Sequence, residues 1–248
     1  MKYFIFSDIH SNLEALTAVL AIHTSEKIMI LGDVIGYGPD PKACIEVIQG
    51  LASPCLIGNH EAVQLDLSEL NNFNSLARES AKYTRSSLTP QDLAWIRSLP
   101  REIIDGQLYF SHGSAYDPAG FHYLMPQDIH SSHLRLSFSK LAKLGSSVGF
   151  YGHTHLPGYF TESSAQITFT PLTAGTEVAL DQTKRYIINC GSVGQPRNND
   201  CNAQFIVFDT ETWTVSMKSV AYEIEQTAQK MQAAKLPEQL WKRLFLGI

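Results

Sequence analysis

Phe4-Ile5-Phe6-Ser7-Asp8-Ile9-His10 begins as an apolar run and breaks off directly into two residues that can bind a metal. Four more stretches repeat the pattern. Ile28-Met29-Ile30-Leu31 gives way to Gly32-Asp33, Cys55-Leu56-Ile57 to Gly58-Asn59-His60-Glu61, Leu108-Tyr109-Phe110 to Ser111-His112-Gly113, and Val148-Gly149-Phe150-Tyr151 to Gly152-His153-Thr154-His155. Apolar runs of this length, bounded by glycine and polar residues, predict buried strands. Ligands of open α/β sheets bind at the carboxyl ends of such strands, so the five endings predict one shared site.

Outward from these runs, the chain alternates strand, helix, strand, helix, strand as far as about Gly58. Ser11 or Asn12 is placed to cap a helix carrying Leu13, Leu16, Val19 and Leu20 at helical spacing, and Pro41 opens a second with Ile45 and Ile48 on its inner face. Successive strand-helix-strand units predict parallel strands joined by right-handed crossovers. Residues 72–97 are helical in composition with a break near Thr89-Pro90, 101–110 predict a hairpin turning at Asp105-Gly106, and 127–144 predict another helix. The last third changes character. Residues 159–169, 185–189, 203–209 and 212–220 alternate as antiparallel strands do, and two helical segments follow. No linker, repeat or charge run divides the parts. The expectation is one domain over residues 1–248, with α/β and α+β features: a four-layer α-β-β-α sandwich of two mixed sheets packed face to face, helices outside.

The net charge of -5 comes without a run of one sign, so no basic stripe points to duplex nucleic acid or an anionic membrane. No apolar stretch is long enough to span a bilayer, and Asp8 and His10 interrupt the first apolar stretch too early for a secretion signal. Cys44, Cys55, Cys190 and Cys201 show no CxxC spacing and read as reduced structural thiols, which places the protein in the cytoplasm.

His153 and His155 alone are a moderately specific pair, equally readable as a turn held by imidazole hydrogen bonds. Their company decides it. With Asp8-x-His10, Gly32-Asp33-x-x-Gly36, Gly58-Asn59-His60 and His112-Gly113 preceding them in order, the chain resembles the calcineurin-like metallophosphoesterases. The stretches Asn189–Arg197 and Gly36–Pro41 resemble blocks of the small bacterial phosphodiesterase-like branch. That resemblance implies two divalent cations. One is held by Asp8, His10, Asp33 and His155, the other by Asp33, Asn59, His112 and His153. It also implies that His60 donates a proton to the leaving oxygen, kept in its tautomer by an acidic neighbour, here Glu61 where the family often has Asp.

The residue types suit this chemistry. Two cations about 3.5–4 Å apart neutralise phosphate oxygens and generate a hydroxide near neutral pH, with a carboxylate such as Asp33 bridging them. Oxygen and imidazole ligands without thiolate suit Mn, Fe, Co, Ni or Zn. Imidazole titrates near working pH, as an acid should; the competing reading of His60 is a structural cap of the following helix.

Tyr37, Asn59 and Arg197 are the candidate substrate contacts. Tyr37 reads as a stacking surface or phosphate donor near the metals, or as a core tyrosine; Arg197 forks onto a phosphate or braces its loop. The aromatic loop 114–123 is either a lid, with Tyr116 and Phe121 stacking on a leaving group, or packing in a core or subunit interface. Cys190 stands where the family commonly has Pro, which leaves the course of its loop open. His23, His122, His130 and His133 complete no site. The favoured expectation is hydrolysis of a small phosphodiester, nucleotide or dinucleoside polyphosphate, with no membrane or duplex nucleic acid as partner. A phosphoprotein phosphatase and a non-catalytic metal-binding scaffold are the alternatives, and ligand completeness argues against the scaffold.

Overall fold

The first strand shows how a continuous apolar run serves two cores at once. In β1 (Lys2–Phe6), Tyr3 and Ile5 face one apolar cluster while Phe4 and Phe6 face another, as the two-residue period of a strand requires. The computed structural model describes residues 1–163 and 166–248. After β1 come α1 (Leu13–Ile22), β2 (Lys27–Ile30), α2 (Pro41–Gly50), α3 (Asn59–Leu65), α4 (Ser75–Ser87), α5 (Pro90–Ser98), β3 (Glu102–Asp105), β4 (Leu108–Ser111), α6 (Ser132–Lys143) and β5 (Val148–Tyr151). Then follow β6 (Gly158–Ser163), β7 (Gln166–Pro171), β8 (Glu177–Ala179), β9 (Arg185–Asn189), β10 (Ala203–Asp209), β11 (Thr214–Val220), α7 (Ile224–Ala233) and α8 (Glu238–Lys242). Short 3-10 helices occupy Leu67–Asn72, Pro126–His130 and Arg243–Phe245.

Two mixed sheets result, of order β2-β1-β10-β11-β8 and β3-β4-β5-β9-β6-β7. β1 runs parallel to β2, and β4, β5 and β9 are parallel in turn, whereas β10 and β6 join antiparallel. Between the sheets, Tyr3, Ile5, Met29 and Phe208 meet Leu108, Phe110, Phe150 and Ile188. Outside the first sheet, Phe4, Phe6 and Ile30 pack on Leu16 and Val19 of α1 and Ile45 and Ile48 of α2. Outside the second, Tyr109 and Tyr151 pack on Leu134, Phe138 and Leu141 of α6. This is the expected α-β-β-α layering.

Local signals account for the helix starts. Asn12 caps α1 by accepting from Ala15 N at 3.1 Å, and Thr89 and Asp92 form a reciprocal capping box at α5. Pro41 sits in the first turn of α2. The hairpin at Asp105-Gly106 is present, and the helical stretch 127–144 divides into a 3-10 helix and α6. One strand is not as expected: residues 55–57 join the sheet only through a single parallel bridge, Ile30 to Cys55. Of the alternating run 159–169, positions 164 and 165 lie outside the described residues. All four cysteines are free, with Cys44, Cys55 and Cys190 buried. Among the described residues no helix is long and apolar enough to cross a membrane.

What aligns the strand ends is a set of ties between turns. Asp8 N donates to Gly32 O at 3.1 Å, His10 N to Asp33 O at 2.9 Å and Ser11 N to Val34 O at 2.9 Å, so the turns after β1 and β2 run together as an extra ladder. The glycine-rich loop closes over them, with Val193 N donating to Ser7 O at 3.0 Å and Gly194 N to Asp8 O at 2.9 Å. The strongest brace is Glu61, fully buried in the first turn of α3. Its Oε2 accepts from Asp33 N and Gly58 N, both at 2.8 Å, and its Oε1 from Ile35 N at 3.0 Å. The two loops approach so closely that a Cβ at Gly58 would overlap the Asp33 carboxylate, and one at Gly32, whose φ is +100°, would come within 2.7 Å of Gly58 N.

Leaving a buried donor unpaired costs about 1–3 kcal/mol. Glu61→Ala strands three, and is therefore expected to lower unfolding free energy in urea by at least ~3 kcal/mol, even without any cation present. Unchanged stability in that variant contradicts the brace.

Candidate active site

The ends of β1, β2 and β5 deliver their polar residues on a sharply turned backbone. Asp8, His10, Asp33, His153 and His155 all have φ between 50° and 67°, in the left-handed region that non-glycine residues seldom occupy. Such conformations cost about 1–3 kcal/mol each and cluster at functional sites. Here the turn reverses the chain directly after the sheet, so that side chains from different strands converge. Three groups of ligand atoms lie within 4.8 Å of one another: Asp8, His10 and His155; His10, Asp33 and His60; and Asp33, His112 and His153. Asp33 belongs to two of them, and all of these side chains are buried. Asn59 joins the third group, its Oδ1 lying 3.2 Å from His112 Nε2.

The imidazoles are oriented from behind. A carbonyl can only accept, so each ring nitrogen facing one carries the proton. His10 Nδ1 donates to Ile35 O at 3.3 Å, His112 Nδ1 to Leu31 O at 2.8 Å and His155 Nδ1 to Gln195 O at 2.6 Å. The Nε2 atoms are thereby turned inward as lone-pair donors, the arrangement that ligating histidines use. Two observations fit cations at this place. His10 Nε2 and His155 Nε2 face each other at 3.0 Å although both Nδ1 atoms hold the protons, and His153 Nε2 is buried with no partner.

Electrostatics point the same way. Burial opposes charge on Asp8 and Asp33, yet the surrounding imidazoles, His155 beside Asp8 and His112 beside Asp33, hold both below the usual carboxylate range. Burial pushes His10 and His155 down and His153 down to about 3. His112 is the exception. Burial would lower it, but Asp33 Oδ2 at 3.2 Å, with help from Asp8 and the Leu31 carbonyl, raises it to about 9. Its Nε2 faces two acceptors, Asp33 and Asn59, so a proton there stands where a cation would satisfy the same atoms.

His60 lies beside this cluster, its ring 4.9 Å from that of His10 and 4.5 Å from that of Tyr37. Its backbone N–H donates to Asp33 Oδ1 at 2.9 Å. Nδ1 is buried without a partner, and a Cβ at Gly36 would overlap it, so the other nitrogen is the one turned to the adjoining cleft. Burial pushes His60 down to about 4. The expected pairing of Glu61 with His60 is not made. The Glu61 carboxylate is committed to the three backbone N–H groups of its brace, and burial followed by the charge of Asp33 pushes it up to about 7.

Tyr37 stands between the cluster and the cleft. It is buried, packs edge-on to His10 at 4.8 Å, and lines the cleft. Arg197 braces its loop by donating Nη2–H to Gln195 Oε1 at 2.9 Å, while Nε is buried without a partner. Despite Cys190, the loop keeps contact with β5 through Cys190 N to Tyr151 O at 3.2 Å. The aromatic loop divides. Phe121 and Tyr123 line the cleft, Tyr123 stacked on His153 at 3.8 Å, whereas Tyr116 is 49% exposed and packs toward His133 outside it. His122 and His133 stack on each other at 4.1 Å, away from the cluster. Phe73 in the opposite wall escaped the reading of the sequence, because no local pattern indicates that the turn after residue 66 folds back onto His60.

The profile of the calcineurin-like phosphoesterase superfamily domain matches residues 1–213. An uncharacterised protein of Methanocaldococcus jannaschii is 34% identical over 98% of this chain and 97% of its own. The crystal structure of a metallophosphoesterase from Sphaerobacter thermophilus superposes with a TM-score of 0.86 at 34% identity, covering 100% of this chain and 99% of that one. A hypothetical protein from Pyrococcus horikoshii shares the fold, with a TM-score of 0.78 at 20% identity over 100% and 98% of the two chains. The chain belongs to the calcineurin-like phosphoesterase superfamily.

Proposed function

We propose that the protein is a metal-dependent phosphoesterase that hydrolyses a small phosphodiester, nucleotide or dinucleoside polyphosphate, using two divalent cations. The observation that carries this reading is the position of Asp33, whose Oδ2 lies 3.2 Å from His112 Nε2 and 3.9 Å from His10 Nε2, between the Asp8-His10-His155 group and the pair His112 and His153, with the His60 ring 4.9 Å from that of His10. Asp8, His10, Asp33 and His155 would hold one cation and Asp33, Asn59, His112 and His153 the other. Bound there, such cations neutralise phosphate oxygens and lower the pKa of water.

The chain's own residues do the rest. In the hydrolysis, a water oxygen forms the new bond to phosphorus and releases a proton to solvent as the bond to the leaving oxygen breaks. His60 gives that oxygen its proton from the nitrogen open to the cleft, and regains one from solvent. Because burial keeps the free ring neutral near pH 7, the negative phosphate is what draws the proton onto it. Tyr37 packs against the rings of both His10 and His60, at 4.8 and 4.5 Å, while those two rings also touch each other at 4.9 Å. The complete ligand set and the open cleft beside His60 favour an enzyme over a scaffold.

His60→Ala is expected to lower turnover of aryl phosphate esters with Mn²⁺ by about 10²–10⁴-fold, the usual worth of a positioned acid. Metal content by elemental analysis should stay at the wild-type level; full activity in the variant removes His60 from the mechanism. Chelation should abolish hydrolysis and added Mn²⁺ restore it.

A ligating imidazole has to be neutral at the nitrogen that binds. Since His112 is held at about 9, cation binding below that pH must displace its second proton. Affinity should therefore rise with pH from 6 to 8, by up to ~10-fold per unit for one linked proton. Calorimetry in buffers of different ionisation enthalpy should show about one proton released near pH 7. Binding with no proton release contradicts His112 as a ligand.

A further inference from the structure

The cleft beside His60 has a volume of about 610 Å³ and a chemistry unlike that of the ligand cluster. Part of the lining is apolar: Phe73 lies against His60 at 5.0 Å, and Val63 and Ala77 line the cleft with it. The facing wall is Phe121, whose ring is 5.9 Å from His112, and Tyr123. The rim carries two exposed carboxylates, Asp66 and Glu69, against one cation, Arg101, whose guanidinium is 5.5 Å from the Phe121 ring centre. One oxygen of each carboxylate is engaged locally, Asp66 Oδ1 by Ser68 and Glu69 Oε2 by Asn72.

We propose that this cleft is the leaving-group pocket, and that it takes an uncharged flat alcohol, a nucleoside or aryl alcohol, in preference to an anionic chain such as a polyphosphate. The proposal rests on the phosphoesterase reading, because His60 marks the leaving side: whatever departs lies outward of the ring that protonates it. Aromatic walls offer stacking to any π-face without asking for one base. Arg101 over Phe121 extends that surface. The second oxygens of Asp66 and Glu69 accept hydrogen bonds from hydroxyl or amino groups and repel a further phosphate. The volume suits a nucleoside, within the range of about 300–1,000 Å³ for small-molecule sites.

The test compares kcat/KM for esters that differ in what leaves: p-nitrophenyl phosphate and adenosine 5′-monophosphate, glycerol phosphate, bis(p-nitrophenyl) phosphate, and diadenosine tetraphosphate. The mono- and diester arms separate the two sources of the same leaving group. Phe73→Ala and Phe121→Ala should each reduce the preference for aryl or adenosyl over glyceryl leaving groups by about 5–100-fold, as loss of one stacking side chain does. Asp66→Asn with Glu69→Gln should raise the efficiency on diadenosine tetraphosphate relative to p-nitrophenyl phosphate several-fold, an effect that fades in high salt. Saturation-transfer NMR with adenosine and no cation gives a reading independent of catalysis, with signal in the wild type and loss in Phe73→Ala. Unaltered leaving-group preference in both phenylalanine variants, or adenosine binding that survives them, overturns the pocket. Should the wild type hydrolyse no ester, the phosphoesterase reading falls, and the adenosine measurement still decides what the cleft holds.

Discussion

The structure depends on one buried carboxylate holding two loops together. Glu61 accepts three backbone N–H bonds from Asp33, Ile35 and Gly58, and so fixes the turn after β2 against the start of α3. Asp33 then reaches back to accept from His60 N, which closes the tie in both directions. From that junction the turn after β1 is carried along by its own ladder to residues 32–34, and His153 N follows by donating to the Asp8 carboxylate at 3.0 Å. Charge-assisted bonds of this kind are about twice as strong as neutral ones, which is what left-handed turns at Asp8, His10 and Asp33 require to persist.

The same arrangement is electrostatically costly in the absence of cations. Asp8, Asp33 and Glu61 are buried together with five imidazoles, and two ring nitrogens face each other across 3.0 Å. A protein selected for stability alone would not retain these contacts. Cations at the shared carboxylate would relieve both the like-charge repulsion and the unpaired imidazole nitrogens, which couples stability to function at one place. The apolar cores on both sides of each sheet supply the rigid frame that makes so unfavourable a cluster sustainable.

Much of this was legible in the sequence, for physical reasons that differ by element. Phe4-Ile5-Phe6 and Leu108-Tyr109-Phe110 announce strands buried on both faces, because strands covered by helices on one side and by a second sheet on the other need apolar residues at every position. The polar residues after them are legible because burial of Asp, Asn and His in series has few uses other than cation binding. Residues 55–57 carry the same apolar signal yet form only one bridge, since apolar patterning does not determine how many ladder bonds a neighbour offers. Glu61 was placed near His60 by adjacency, but a side chain's partners are set by loops that meet only in the fold. Phe73 and the split between Tyr116 and Phe121 are tertiary in the same sense: aromatic composition shows that stacking is available and not which face it serves.

On this proposal Asp33 sits between two cation positions. Crystals grown with Mn²⁺ and measured at a wavelength where manganese scatters anomalously test this directly. Two anomalous peaks are expected about 3.5–4 Å apart, one on either side of the Asp33 carboxylate, the first among His10 and His155 and the second among His112 and His153. A single peak that Asp33 does not touch, or no peak at saturating Mn²⁺, contradicts it.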